Sequence, residues 1–242
     1  MLNRLPAASL RDPPIGFGHR GARALLPDNS LPGFQLALRL GATGLETDAF
    51  VTSDGVAVLD HDGVVGRGLR RRPVASVTHA ESGLPSLDEL YELCGADFEL
   101  SIDIKDSTAA SAVVASARAR DACRRLWLCT PDLDLARQWV GEFDGCNIVH
   151  STSRRAVRRQ EEKHAAALHA SGIGTVNLHH SDWSAGLVSL YHRFGINCFG
   201  WDVQFPRVVD ALLDMGIDGL YSDHVDMLMS RLAPPPPGGT AT

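Results

Sequence analysis

The feature that most constrains this chain is a repeated alternation of short strand-like runs with longer segments of helical spacing. Strand-like runs fall at 15–18, 44–51, 98–104, 126–129, 147–149, 175–178, 197–203 and 219–222. Between them the spacing predicts helices over 30–40, 86–94, 108–121, 133–143, 154–171, 185–194 and 206–215. Parallel strands need a long crossover, usually a helix, so this alternation argues for a parallel sheet. Eight such strands favour a closed barrel over an open sheet. At 242 residues the chain has the length of one barrel, and its 44% apolar content supports a core of that size. One domain over 15–233 is the economical division. It leaves an irregular lead-in over 1–14, where Pro13 and Pro14 block a helix, and a Pro- and Gly-rich tail over 234–242 expected to be disordered.

The chemistry gathers at the ends of these runs. In a strand, side chains alternate between faces, so Glu46 and Asp48 point one way and Thr47 the other. Adjacent carboxylates repel, and a hard divalent cation relieves the repulsion by taking oxygen ligands. E-x-D is therefore a candidate half-site for Mg²⁺ or Ca²⁺; its competing reading is a solvated strand edge. His19, before Arg20 and Gly21, and His61, before Asp62, each follow a short apolar run. An imidazole titrates near neutral pH, so two of them flanking a metal can serve as general base and general acid. Either one alone reads as a structural histidine. Asp54-Gly55 marks a hairpin, and the run 56–59 would return antiparallel and present His61 beside Glu46 and Asp48. His19, Glu46, Asp48, Asp103, Lys105, Trp201, Asp202 and Asp223 all fall at or near predicted strand ends. In barrels of this kind the active site lies at the C-terminal ends of the strands.

The motifs H-R-G-x-x-x-x-x-P-D-N-S, E-T-D, T-S-D-G-V-x-V-x-x-H-D and I-D-I-K occur in that order, followed by G-W-D-V and G-I-D-G-L-Y-S-D. Over residues 15–223 this set resembles the glycerophosphodiester phosphodiesterase family. The resemblance implies an α/β fold, a (β/α)8 TIM barrel with a short β-hairpin after the second strand. It also implies metal-dependent hydrolysis of glycerophosphodiesters to an alcohol and glycerol 3-phosphate. Matched residue by residue, Glu46, Asp48 and Asp103 stand where the family's carboxylates hold Mg²⁺ or Ca²⁺. His19 and His61 match its acid–base pair, Arg20 its phosphate ligand, Lys105 a second cation, and Trp201 an aromatic wall on the alcohol side. Departures are Asp103 and Asp28, where the family more often has Glu, and Asp202, where it has Thr. Asp103, one methylene shorter, must sit closer to a metal or act through water. Its competing reading is an ion pair with Lys105. Asn29 is expected to cap a helix or support the site. His179 and His180 are adjacent strand residues near the rim, so at most one is expected to reach into the site.

Two alternatives share the motif set. One is a lysophospholipase D- or sphingomyelinase D-like phosphodiesterase; the other is a non-catalytic barrel that binds phosphorylated ligands. The substitutions at Asp28, Asp103 and Asp202 favour the latter, and the retained histidines, Arg20 and Lys105 oppose it. A formal net charge of −6 argues against a nucleic-acid binder, with Arg70, Arg71 and Arg72 a local exception. No G-x-G-x-x-G links a strand to a helix, and no run reaches membrane-spanning length. Five scattered cysteines without C-x-x-C spacing suit reduced, mostly buried thiols. With no signal-like apolar run near Met1, a cytoplasmic protein acting on a small-molecule phosphodiester is expected.

Overall fold

The computed structural model describes residues 8–233. Eight parallel strands form a ring: β1 (Ile15–His19), β2 (Gly44–Val51), β3 (Glu99–Ile104), β4 (Leu126–Thr130), β5 (Asn147–Ser151), β6 (Thr175–His179), β7 (Asn197–Trp201) and β8 (Gly219–Ser222). The helices that follow them are α1 (Leu31–Arg39), α2 (Leu87–Cys94), α3 (Ala109–Arg118), α4 (Leu133–Glu142), α5 (Glu161–Ala170), α6 (Ala185–Arg193), α7 (Pro206–Met215) and α8 (Val225–Leu232). Strand β1 hydrogen-bonds to both β2 and β8, which closes the (β/α)8 barrel. The extra strand Ala57–Leu59 runs antiparallel on β2, with Ala49 opposite Leu59 and Val51 opposite Ala57, as the Asp54-Gly55 turn predicts.

The register sets which side chains face inward. Ile15, Phe17, Trp127, Cys129, Val149, Phe199 and Tyr221 pack together inside the barrel. The Phe17 and Tyr221 rings stack with centroids 4.6 Å apart. Gly44 makes room for this packing, because a Cβ there would lie 2.5 Å from the Phe17 ring. The alternate residues, among them Leu45, Ile102, Leu128, Val176 and Leu220, pack outward in a second core shared with the helices. Polar side chains are thus left to the C-terminal ends of the inward rows. Local signals agree with the helix starts: Ser30 accepts from Gly33 N to cap α1, and Ser86 with Glu89 forms a capping box on α2.

Three stretches differ from the sequence expectation. Residues 63–85, where the sequence spacing predicts no strand or helix, contain a two-stranded ribbon (Val64–Val65 with Arg72–Pro73) and a capped turn of helix (His79–Ser82). Val74 and Val77 anchor this connection in the interior. The helix expected over 154–171 is broken into Arg154–Val157 and α5. Asp182 Oδ2 accepts from Arg154 N at 2.9 Å and ties the first piece to the rim, and the chain turns through a left-handed Arg159 (φ 66°) before α5 descends the barrel wall. Helix α8 was not expected, although Val225, Leu228, Met229 and Leu232 have helical spacing. It covers β1 so closely that a Cβ at Gly16 would meet Met229 Sδ at 2.6 Å. All five cysteines are free; Cys129 and Cys198 are buried and the other three half-buried. Among the described residues no helix is long and apolar enough to cross a membrane. The expected tail over 234–242 lies outside the described residues, as do residues 1–7 of the lead-in.

Candidate active site

A cavity of about 810 Å³ opens at the C-terminal ends of the strands. All eight residues singled out for chemistry or binding line it: His19, Arg20, Glu46, Asp48, His61, Asp103, Lys105 and Trp201. The register explains most of this, since His19 pairs across to Glu46, Glu46 to Ser101, and Asp48 to Asp103.

The turn after β1 is tightly specified. Arg20 (φ 51°) and Gly21 (φ 83°) are both left-handed, and a Cβ on Gly21 would sit 2.7 Å from the Gly33 carbonyl carbon at the start of α1. This bend aims the Arg20 backbone N–H at Glu46 Oε2, 3.0 Å away. His19 Nδ1 lies 2.6 Å from Asp223 Oδ1, and its Nε2 lies 3.7 Å from Glu46 Oε2. Burial opposes charge on His19, but the Glu46 carboxylate and the Asp223 hydrogen bond outweigh it and raise the imidazole pKa. Glu46 is pushed up to about 7, by burial first and by the charges of Asp48 and Asp103, against the pull of His19.

Asp48 is buried at 1% exposure and surrounded by donors. Lys105 Nζ is 3.1 Å from Oδ1, and Arg20 Nε is 3.0 Å from Oδ2 at an angle that leaves its N–H without a hydrogen bond. Asn29 donates from Nδ2 to Asp48 Oδ2 at 3.3 Å and accepts from Thr47 Oγ1 at 2.8 Å. Asn29 therefore supports the site, and the cap of α1 is Ser30. Lys105 also meets Asp103 Oδ2 at 2.5 Å, so the Asp103–Lys105 ion pair is present. Burial works against the Lys105 charge, yet Asp103 and Asp48 hold its pKa above the ordinary value.

The donor set fits a hard divalent cation. Glu46, Asp48 and Asp103 offer carboxylate oxygens to one cavity, and burial, with the charges of Asp48 and Asp103, raises the Glu46 pKa against the pull of His19. The three carboxylates do not form a tight set, however. Among the described residues the sets of three ligand atoms within 4.8 Å of one another are His179–His180–Asp202 and His192–Cys198–Asp218. Across Asp48 and Asp103 the neutralising group is the Lys105 ammonium.

His61 is presented by the turn beyond the hairpin. Asp60 Oδ2 accepts from Asp62 N and Gly63 N at 2.9 and 2.7 Å, and His61 Nδ1 lies 2.9 Å from Asp62 Oδ1. Trp201 stands at the mouth, 42% exposed. Its ring meets the His179 ring edge-on with centroids 4.6 Å apart. Asp28 reaches Arg20 at 3.4 Å, so the shorter acid still engages the arginine.

Sequence reasoning noted Asp223 as a strand-end acid without giving it a partner. The structure adds its contact with His19 and an ion pair with Arg23 at 3.3 Å. Burial alone would raise the Asp223 pKa, but His19 and Arg23 bring it below the usual value. Neither His179 nor His180 lines the cavity, in keeping with the expectation that at most one reaches in, but the geometry there is not that of a strand. The strand ends at His179 and a 3₁₀ turn begins at His180, so alternation no longer applies and the rings lie 4.3 Å apart on the same rim.

The sequence model described as the glycerophosphoryl diester phosphodiesterase family matches residues 19–227. The chain is 28% identical over 243 residues to a Mycobacterium tuberculosis protein named "Probable glycerophosphodiester phosphodiesterase 2", covering 90% of each. Its fold is similar to the crystal structure of glycerophosphodiester phosphodiesterase from Thermotoga maritima, with a TM-score of 0.77 and 23% identity over 89% of this chain and 97% of that one. It is also similar to an Oleispira antarctica phosphodiesterase in complex with the product sn-glycerol-3-phosphate. There the TM-score is 0.76 and the identity 19%, over 90% of this chain and 96% of the other.

Proposed function

The chain belongs to the glycerophosphoryl diester phosphodiesterase family, and from that premise we propose that it hydrolyses glycerophosphodiesters to an alcohol and glycerol 3-phosphate by paired-histidine acid–base catalysis with a divalent cation. The observation that carries the reading is the convergence of two imidazoles, three carboxylates and two cations on one cavity. The product complex of the Oleispira antarctica phosphodiesterase supports glycerol 3-phosphate as the retained half of the substrate.

A phosphodiester carries one negative charge, and more accumulates on its phosphoryl oxygens as a nucleophile approaches. Arg20 and Lys105 bind and orient this group; the planar guanidinium suits a pair of phosphate oxygens. Glu46, Asp48 and Asp103 would hold Mg²⁺ or Ca²⁺, which supplies further positive charge to the phosphoryl group when bound. The Asp223 carboxylate accepts from His19 Nδ1 and so leaves Nε2 free to exchange a proton with the reacting oxygens. His61 supplies the second proton-transfer group, one histidine accepting from the attacking hydroxyl and the other donating to the departing alcohol. Trp201 walls the side on which that alcohol leaves.

The test uses metal-stripped protein supplied with Mg²⁺ or Ca²⁺ and glycerophosphodiester substrates, with lysophospholipids in parallel, and follows release of glycerol 3-phosphate from the former and of the head-group alcohol from both. Wild-type turnover should require added metal. His19→Ala and His61→Ala should each lower kcat by about 10²–10⁴-fold. Near-wild-type turnover in either variant removes that histidine from the mechanism.

A further inference from the structure

We propose that the rim opposite the carboxylate wall carries a second metal site, formed by His179, His180 and Asp202 and suited to a borderline divalent ion such as Zn²⁺. Each of the three residues has a ligand atom within 4.8 Å of the other two. Two imidazoles and a carboxylate are a nitrogen-rich donor set that Zn²⁺ and its transition-metal neighbours take readily and Mg²⁺ does not. The active-site carboxylates are an oxygen-only set on β2 and β3, diametrically across the barrel from β6 and β7. The two centres would therefore select different ions.

The fold builds this cluster rather than leaving it to chance side-chain positions. His179 ends β6 and pairs in register with Trp201, which ends β7. Asp202 follows at φ 61°, a left-handed conformation that costs a non-glycine residue energy and here turns its carboxylate back toward His179. His179 Nε2 lies 3.2 Å from Asp202 Oδ2, and Gln204 donates to Asp202 Oδ1 at 3.3 Å. Among the described residues the His180 imidazole has no hydrogen-bond partner and rests against the His179 ring. Ser181 Oγ stands 2.7 Å from His179 Nδ1. Ser181 N donates to the same Nδ1 at 3.2 Å, which fixes the orientation of the ring. His179 and His180 are half-buried and Asp202 is exposed, so an ion can enter and a water can complete the coordination.

The other close set, His192–Cys198–Asp218, lacks this freedom. Asp218 accepts from Ser9 Oγ, Leu10 N and Cys198 N at 2.6 Å each and from His192 at 2.8 Å, which accounts for its oxygens. That set is a structural tie. The His179–His180–Asp202 set is less engaged: each Asp202 oxygen has one such partner, and the His180 ring has none among the described residues. Because Trp201 and Asp202 also line the cavity, an ion bound there would place positive charge at the mouth through which an anionic substrate passes.

The experiment needs no catalysis. Metal-stripped full-length protein is saturated with Mg²⁺ to occupy the oxygen-only set, then titrated with Zn²⁺ by calorimetry and with Co²⁺ by visible absorption. One equivalent of Zn²⁺ should bind with Mg²⁺ present. His180→Ala and Asp202→Asn should each weaken it by about tenfold or more, while His19→Ala and His61→Ala leave it unchanged. His180→Gln is a gentler second variant, and circular-dichroism melts matching wild type show that lost binding is not lost folding. No Zn²⁺ uptake by the Mg²⁺-loaded protein, or uptake untouched by the rim substitutions, overturns the proposal.

Discussion

His19 illustrates what a single residue's surroundings decide. Its Nδ1 is held at 2.6 Å by the half-buried Asp223, whereas His61 Nδ1 lies 2.9 Å from the exposed carboxylate of Asp62. The two imidazoles are thus unequal partners. Asp223→Asn should lower kcat by on the order of 10–100-fold with little change in KM, because Asp223 orients His19 without reaching the substrate. Steady-state kinetics would expose the opposite pattern, a KM effect with kcat preserved, if Asp223 served binding instead. The residue scale is also where the sequence is least informative. Positions at strand ends are legible from periodicity, and the resemblance of the motifs to a family is what marks His19, Glu46, Asp48 and Asp103 among them. The His19–Asp223 contact spans 204 residues and exists only once the ring has closed. The same limit hid the closeness of the His179 and His180 rings, because strict alternation holds only as far as the strand does.

At the scale of elements, the barrel wall contains a chain of neutral hydrogen bonds that ties β5, α5 and α6 together. His150 Nε2 lies 3.3 Å from Pro131 O, His150 Nδ1 3.0 Å from His164 Nε2, and His164 Nδ1 2.8 Å from the Tyr191 hydroxyl. One tautomer assignment satisfies every link: Tyr191 donates to His164, His164 to His150, and His150 to the carbonyl. Burial and then the His150 charge bring the His164 pKa down to about 4, and burial also lowers that of His150. Both rings are therefore neutral when folded and bind protons more readily when unfolded, near 6.5. Their contribution to stability is complete above that value and is lost as pH falls from about 6.5 toward 4. Urea midpoints should decline across that window, and His164→Gln, which cannot titrate, should flatten the decline. An identical slope in the variant would refute the assignment. Elements themselves were read well where an apolar period and a cap coincide, as at α1 and α2. They were misread where tertiary contacts override local spacing, as at Arg159, or where the apolar period was overlooked, as at α8.

The whole molecule is held by two concentric cores, and their unequal roles can be measured. Phe17 lies fully buried inside the ring, stacked on Tyr221 and tilted against Phe199 at 5.5 Å. Phe17→Ala should cost about 3–5 kcal/mol, since the surrounding rings cannot collapse into the space. Leu93→Ala, on a side chain 45% exposed, should stay within about 0.5 kcal/mol. Chemical denaturation of the two variants side by side would check this, and equal losses would mean that the interior is not close-packed. Ring closure was foreseeable because eight repeats in about 250 residues leave few other parallel arrangements. The division into an inner and an outer core was not, because both faces of every strand are apolar over most of their length.

The register places alternate residues of all eight strands inside, from Phe17 and Tyr221 below to His19, Glu46 and Asp48 above. The working groups thus share a common phase with the packing beneath them. Deleting one residue within β2 would rotate Thr47 inward and send Glu46 and Asp48 toward the helices, disabling the centre without touching any of its members. Segments beyond the strand ends carry no such phase. Lineages of this fold are therefore free to lengthen, shorten and re-sculpt the connections above the mouth, while the strands keep strict count.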